Sequence, residues 1–137
     1  MHFEYNIVEN DFANAGKASS DIKKTLKQLN INVHIIKRVV IAVYEAEVNA
    51  IAHAYGGKVL VDLDSDKIII NVKDKGPGIK DISLAMQEGY STASEKVREM
   101  GFGAGMGLPN IKNNVDNLDI RTKIGVGTEI IMTVNFK

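Results

Sequence analysis

The chain of 137 residues contains no cysteine. Disulfide bonds, thiolate catalysis and cysteine-type zinc sites are therefore excluded. Neither sign of charge is in excess, because 17 basic residues balance 17 acidic ones. Nonspecific binding to nucleic acid or to an anionic membrane favours a basic excess, so we expect neither as a partner.

Long hydrophobic runs and targeting signals are also missing. No stretch of about 18 apolar residues occurs, and the N-terminus MHFEYNIVEN lacks the charged-then-apolar pattern of a signal peptide. There is no internal repeat and no low-complexity tail. We expect a cytoplasmic protein with a single domain over residues 1–137, a length that suits one hydrophobic core.

Hydrophobic periodicity predicts the elements of the first half of the chain. Residues 3–8 alternate as a strand does, and Asn10 and Asp11 offer caps for a helix. That helix is predicted from apolar residues at 3- and 4-residue steps, namely Ala15, Ala18, Ile22, Leu26 and Leu29. A longer helix is predicted over residues 33–55, where two glycines end it.

The residue pattern of the second half of the chain predicts two hairpins and two helices. Strands over residues 59–63 and 68–72 flank a turn composition, and residues 120–123 and 128–136 repeat that arrangement. A short helix is predicted near residues 82–88, and Leu108-Pro109 opens another whose buried face is Ile111, Val115 and Leu118. This order favours an α+β two-layer sandwich, with helices on one face of an antiparallel or mixed sheet.

The first candidate site lies in the long helix. Glu45, Asn49 and His53 follow one another at four-residue steps and so share one helix face. One interpretation is a solvated polar stripe opposite the core. The other is a carboxylate and an amide oxygen presented together to a metal–phosphate group, since such oxygens suit Mg²⁺.

The second candidate is the segment DKGPGI, which directly follows a predicted strand. Asp74, Gly76 and Gly78 are typical turn residues, which is the simpler interpretation. Alternatively, Asp74 accepts a hydrogen bond from an exocyclic amine while the glycines let a flat ligand lie against the backbone.

The third candidate is GFGAGMG, with four glycines in the seven positions of residues 101–107. Its spacing is not GxGxxG, and no GxxxxGK[ST] motif occurs in the chain, so the Rossmann and Walker interpretations fail. It could be a flexible surface tether. A run of backbone N–H groups leading into a helix N-terminus is, however, a good anion site, and we interpret the segment in that way.

The fourth candidate is Gly125-Val-Gly-Thr128 in the last hairpin. Gly127 suits the turn, and Thr128 is predicted to lie near the Asp74 loop, where its hydroxyl could reach the same ligand.

In this order the motifs resemble the ATP-binding Bergerat fold of gyrase-type ATPases, Hsp90, histidine kinases and MutL-like proteins, from about Val33 to the C-terminus. Gyrase, Hsp90 and MutL relatives need further domains, and a histidine kinase needs a phosphoacceptor histidine on a helical hairpin, so we expect this chain to belong to none of these groups. The segment YEAEVNAIAHAYGG is similar to a signature of bacterial anti-sigma-factor serine/threonine kinases. GFGAGMGLPNIK is similar to the related switch kinases of partner-switching systems.

The resemblance implies a kinase that uses ATP and Mg²⁺ to phosphorylate a serine or threonine of a STAS-type regulatory protein. A sigma factor is a further partner that it implies. The alternatives are an ATP-binding anti-sigma factor and a nucleotide-sensing regulatory subunit, both acting by binding. Relatives often form homodimers, and the strand over residues 3–8 is an edge that could serve this purpose.

Site roles follow from the resemblance position by position. Glu45 is implied to be the general base, Asn49 the Mg²⁺ ligand and Asp74 the acceptor of the adenine amine. The implied ATP-binding residues are Asn49, His53, Asp74, Gly76, Gly78, Gly103, Ala104, Gly105, Met106, Gly107, Leu108 and Thr128. Residues 84–107 are implied to form a lid over ATP.

One departure from the pattern concerns Gly103. Sporulation-type relatives have an arginine at this place, two residues before the glycine equivalent to Gly105. A cation at the γ-phosphate would then come from Lys96, Arg98, Lys112 or a partner. The departure leaves ATP binding intact and weakens the expectation of fast catalysis.

Overall fold

The computed structural model describes residues 1–53, 55–79, 81–87 and 107–137, without the side chain of His53. The strands of this part are β1 (His2–Ile7), β2 (Gly57–Leu63), β3 (Lys67–Asp74), β4 (Asn117–Lys123) and β5 (Gly127–Asn135). Its α-helices are α1 (Lys17–Gln28), α2 (Val33–His53), α3 (Ile82–Ala85) and α4 (Gly107–Asn114), and a 3-10 turn (Phe12–Asn14) precedes α1.

The five strands form one sheet in the order β1-β2-β3-β5-β4, and every neighbouring pair is antiparallel. Of the two sheet types that the sequence allowed, the antiparallel one is therefore present. The strand at residues 3–8 is β1, and it lies at an edge of the sheet as expected.

Alternate residues of the strands build the hydrophobic core against the helices. Val59 pairs with Val72, and Ile70 pairs with Met132, so one face of the sheet carries a continuous apolar surface. Ile22, Leu26, Val39, Val43 and Ile111 of the helices are fully buried in the same cluster. The predicted α+β sandwich with helices on one face is confirmed, because a period of two in strands and of 3.6 in helices each buries one side.

Several predicted details of helix ends are wrong. Asn10 and Asp11 do not cap α1: Asn10 is in the left-handed region (φ 58°), and Asp11 precedes the 3-10 turn. Helix α1 begins after Gly16, which has φ 93° and no side chain to offer as a cap. Helix α2 begins after Asn32, whose Oδ1 accepts a hydrogen bond from His34 N–H at 2.8 Å.

Other element boundaries in the structure differ from the predicted ones by a few residues. Leu118 lies in β4 and not on the face of the preceding helix, which ends at Asn114. The short helix ends at Ala85, and β5 covers Gly127–Asn135. The cause for Leu118 is pairing with Met132 of β5, which gives an extended conformation to a residue whose spacing also fits a helix.

The residues just after α2 are hydrogen-bonded to the residue just after β3. Tyr55 N–H donates to the Lys75 carbonyl at 2.6 Å, and Lys75 N–H donates to the Gly56 carbonyl at 2.9 Å. This pair of bonds fixes the polar face of α2 relative to the loop that follows β3. No helix in the described part of the chain has both the length and the apolar character needed to cross a bilayer.

Candidate nucleotide-binding site

The polar stripe of α2 lies at the margin of the core. Ala42, Val43, Ala46 and Ala50 are buried against the rest of the fold, while Glu45 and Asn49 are only half-buried. Of the two interpretations of this stripe, a fully solvated face is therefore wrong for Glu45. Both side chains lie where the buried face of α2 meets its solvent-exposed face.

Glu45 lies against the start of helix α4. Its Oε1 accepts a hydrogen bond from Asn110 Nδ2 at 3.3 Å. Its Oε2 is 3.7 Å from the place where a Cβ on Gly107 would be, so the absence of a side chain at Gly107 leaves this oxygen uncovered on that side. Burial raises the pKa of the Glu45 carboxyl, and the Asn110 amide partly offsets this effect.

Asp74 ends strand β3 with a partly buried carboxylate. Oδ1 accepts the Thr128 N–H at 3.0 Å. Oδ2 has no hydrogen-bond partner among the described residues, so it remains free to accept a donor from a ligand. Burial raises the pKa of this carboxyl, and the Thr128 N–H lowers it.

The loop after Asp74 is tied to the β4–β5 hairpin. Ile79 N–H donates to Thr122 Oγ1 at 2.8 Å, and Gly125 N–H donates to the Pro77 carbonyl at 3.0 Å. The Thr128 hydroxyl lies 3.0 Å from Thr122 Oγ1. Thr128 thus approaches the Asp74 loop as predicted, but it supports Asp74 through its backbone, and its hydroxyl bonds to Thr122.

Two glycines of this region are required by close backbone contacts. Gly78 has φ 80°, and a Cβ there would meet the Lys123 carbonyl oxygen at 2.8 Å. Gly127 has φ 149°, and a Cβ there would overlap the Asp74 carbonyl oxygen. Both positions need glycine for conformation and for space, so the glycines of this loop pack the hairpin against β3.

The remaining predicted residues divide into described and undescribed ones. Gly76 is buried, and Leu108 is 7% exposed with its side chain in the core, which leaves only its backbone for a ligand. The side chain of His53 and all of Gly103, Ala104, Gly105 and Met106 lie outside the described residues, as do Lys96, Arg98 and most of the predicted lid. Lys112 is exposed near the end of α4.

The described site residues form two groups, one beside the middle of helix α2 and one near its C-terminal end. Glu45 lies with Gly107 and Asn110, whereas Asp74 lies with Thr128 near the end of α2. From Glu45 to His53 the helix rises about 12 Å.

The donor set for a metal is sparse. No group of three or more His, Cys, Asp or Glu side chains that could hold an ion occurs within the described ranges. Mg²⁺ in nucleotide sites is commonly held by one or two protein oxygens together with substrate phosphates and water. The half-buried Asn49 amide fits that kind of coordination, and it does not fit an all-protein metal site.

Two contributors to the site and one cap of helix α1 were missed at the sequence level. The contacts of Asn110 and Thr122 have no local signature, because their partners Glu45 and Ile79 are 65 and 43 residues away. Glu47 is 4% exposed, and its Oε2 accepts the Ala18 N–H at 3.2 Å. The sequence offered no signal for this contact, because the start of α1 after Gly16, which has no side chain to act as a cap, is visible only in the structure.

Two of the cavities in the described part are lined by neither Glu45, Asn49 nor Asp74. A cavity of about 40 Å³ lies beside Glu47, whose Oε1 is buried without a partner among the described residues. A more open groove of about 460 Å³ lies between α3, α4 and β4. Both are therefore separate from the two groups of site residues.

The chain is similar to known proteins over most of its length. A family model described as "Histidine kinase-like ATPase domain" matches residues 8–134. An anti-sigma F factor of Thermoanaerobacter sp. (strain X514) is 35% identical over 111 residues, covering 77% of this chain and 74% of that protein. The serine/threonine-protein kinase RsbT of Bacillus subtilis (strain 168) is 30% identical over 112 residues, covering 79% and 78% of the two chains.

A solved structure has the same fold. The RsbU and RsbW domains of Rv1364c from Mycobacterium tuberculosis superimpose with a TM-score of 0.66 at 16% identity. The match covers 98% of this chain and 32% of that one, so this chain spans about a third of the solved chain.

Proposed function

Since the chain belongs to the family of histidine kinase-like ATPase domains, we propose that it is a serine/threonine protein kinase of a bacterial partner-switching system. Its substrate is a serine or threonine of a STAS-type regulatory protein, and its phosphate donor is Mg²⁺-ATP. The family is one of ATPase domains, which implies ATP binding. The names of the similar proteins, an anti-sigma F factor and a serine/threonine kinase, support a regulatory role of this kind.

The placement of Glu45 carries the kinase proposal. Its half-buried carboxylate has one oxygen held by Asn110, and the other, beside Gly107 where α4 begins, accepts no hydrogen bond from the described residues. A general base must have such a positioned oxygen within reach of the proton that it removes. In-line phosphoryl transfer otherwise needs mainly positioning and charge stabilisation.

The other residues have binding roles in this proposal. Asp74 accepts the adenine amine through Oδ2, and Asn49 holds Mg²⁺ through its amide oxygen. The glycine segment and the N-terminal turn of α4 donate backbone N–H groups to phosphate oxygens. Mg²⁺ would neutralise charge on the phosphates, while the chain itself orients the two substrates.

A phosphotransfer assay tests the proposal. Purified protein, labelled ATP and a panel of STAS-domain proteins should give one phosphorylated partner with the wild type. The isosteric variant Glu45→Gln should bind ATP as the wild type does and should lose at least about 100-fold in transfer rate, a range typical for general bases. Absence of any phosphoprotein, or equal rates for both proteins, would refute the kinase proposal.

A second function is favoured by the anti-sigma F factors among the similar proteins. In that case the domain acts as a binding module, such as an anti-sigma factor or a nucleotide-sensing subunit, and nucleotide controls its affinity for a partner. Pull-down of sigma factors with ATP, with ADP and without nucleotide separates the two functions. Binding that changes with nucleotide and survives Glu45→Gln supports the module, whereas no binding counts against it.

A further inference from the structure

Asn110 has a contact that neither the motifs nor the roles assigned above include. It lies in the first turns of α4, half-buried, and its Nδ2 donates to Glu45 Oε1 at 3.3 Å. Within the described ranges no other side chain hydrogen-bonds to the Glu45 carboxylate. The contact joins two helices across 65 residues of sequence, and α4 directly follows the glycine-rich segment.

The two oxygens of Glu45 therefore have different environments. Oε1 is occupied by the Asn110 amide, whereas Oε2 is directed toward Gly107, whose missing Cβ leaves room beside it. The terminal torsion of a glutamate is broad, so a carboxylate without a partner samples many orientations. One hydrogen bond to Oε1 is enough to fix which oxygen is presented to the start of α4.

We infer that Asn110 is a positioning residue that holds Oε1 of Glu45, so that Oε2 is the oxygen that receives the substrate proton. The inference rests on the proposed kinase function. In that reaction the substrate hydroxyl gives its proton to Oε2, and its oxygen forms a bond to the γ-phosphorus. The bond from that phosphorus to the β–γ bridging oxygen breaks, and its electron pair leaves with ADP.

The same contact favours the ionised form of the base. Burial disfavours the charged form of Glu45 and raises its pKa, and among the described residues the Asn110 amide is the group that opposes this effect. Loss of the amide should therefore raise the pKa of Glu45 further and free its orientation. A purely structural role for Asn110 would change stability without moving the titration of Glu45.

Two measurements on Asn110→Ala test the inference. In ¹³C-carboxyl NMR, with the Glu45 signal assigned from Glu45→Gln, the titration of Glu45 should move to higher pH. In the kinase assay kcat should fall about tenfold, the effect of one charge-assisted hydrogen bond, while KM for ATP stays within about twofold. The acidic limb of the pH–kcat profile should move in the same direction as the NMR titration.

Asn113→Ala is the matched control, because Asn113 lies on the same helix, is exposed, and undergoes the same truncation. It should leave both the titration and kcat unchanged. An Asn110→Ala protein that is folded and shows the wild-type Glu45 titration would overturn the inference. If the wild type transfers no phosphate, the proposed function fails, and the NMR titration still decides whether Asn110 holds the carboxylate.

Discussion

Replacing Asp74 by asparagine separates the support of the fold from the recognition of ligand. The amide oxygen of asparagine can still accept the Thr128 N–H that Oδ1 accepts at 3.0 Å in the wild type. At the position of Oδ2, however, an NH₂ group would face the ligand. An adenine amine would then meet a donor instead of a charged acceptor.

The expected loss of affinity follows from that exchange. A hydrogen bond to a charged group contributes about 1.5–3 kcal/mol, so Asp74→Asn should weaken ATP binding by about 10- to 100-fold. Isothermal titration calorimetry with ATP, with and without Mg²⁺, measures it. Asp62→Asn, an exposed position on β2, is the matched control and should bind ATP as the wild type does.

The stability of Asp74→Asn should not fall together with its affinity for ATP. Burial raises the pKa of Asp74 above its ordinary value of 3.8. A group with a raised folded-state pKa contributes stability below its unfolded pKa, and this contribution is lost as pH rises through the folded pKa. At neutral pH the neutral asparagine should therefore be at least as stable as the aspartate. Wild-type ATP affinity in Asp74→Asn, or a marked loss of its stability at pH 7, would refute this account of the site.

Three further predictions concern the supports of the site. Glu47→Ala should lower the free energy of unfolding by about 1–2 kcal/mol, because the Ala18 N–H loses its cap, whereas Glu47→Gln should keep the cap. Burial raises the pKa of Glu47 above 4.5, so the wild type should lose stability relative to Glu47→Gln as the pH rises from 5 to 8. Urea unfolding measures the difference in free energy of unfolding between the two proteins, and a difference that is constant with pH would contradict the reasoning. Thr122→Val leaves the Ile79 N–H without its acceptor and should reduce stability by about 1–3 kcal/mol in thermal unfolding, with weaker ATP binding; an unchanged melting temperature would show that this bond is dispensable. Gly127→Ala places a methyl group on the carbonyl oxygen at the end of β3 and should reduce soluble yield and melting temperature, so a variant as stable as the wild type would contradict the observed packing.

The architecture was largely predictable from local pattern. Alternation over β2 and β3, and three- and four-residue spacing over α1 and α2, determine which side of each element is apolar. The two hairpins make β2–β3 and β4–β5 antiparallel, whereas the antiparallel pairing of β1 with β2 and of β3 with β5 was decided by the tertiary structure. The errors lie at element ends, where Leu118 and Asn10 have spacings or side chains that fit more than one local conformation.

The sequence predicted the residues of the candidate site but not all of the hydrogen bonds that hold them. Glu45, Asn49 and Asp74 were found because their residue types stand at recognisable spacings, and their ligand roles remain predictions. Thr128 was expected near Asp74, 54 residues away, but the backbone N–H through which it bonds has no sequence signature, and the contact of Asn110 with Glu45, 65 residues away, was missed.

By itself, then, the amino-acid sequence determined most of the elements, their apolar faces and the residues that we propose to bind a nucleotide. Only the tertiary structure decided that Asn110 holds one oxygen of Glu45 while Gly107 lies beside the other, and how the Asp74 loop is hydrogen-bonded to the last hairpin. The reason is that periodicity records which side of a helix or strand avoids water, whereas a hydrogen bond between distant elements depends on how closely their backbones approach after packing.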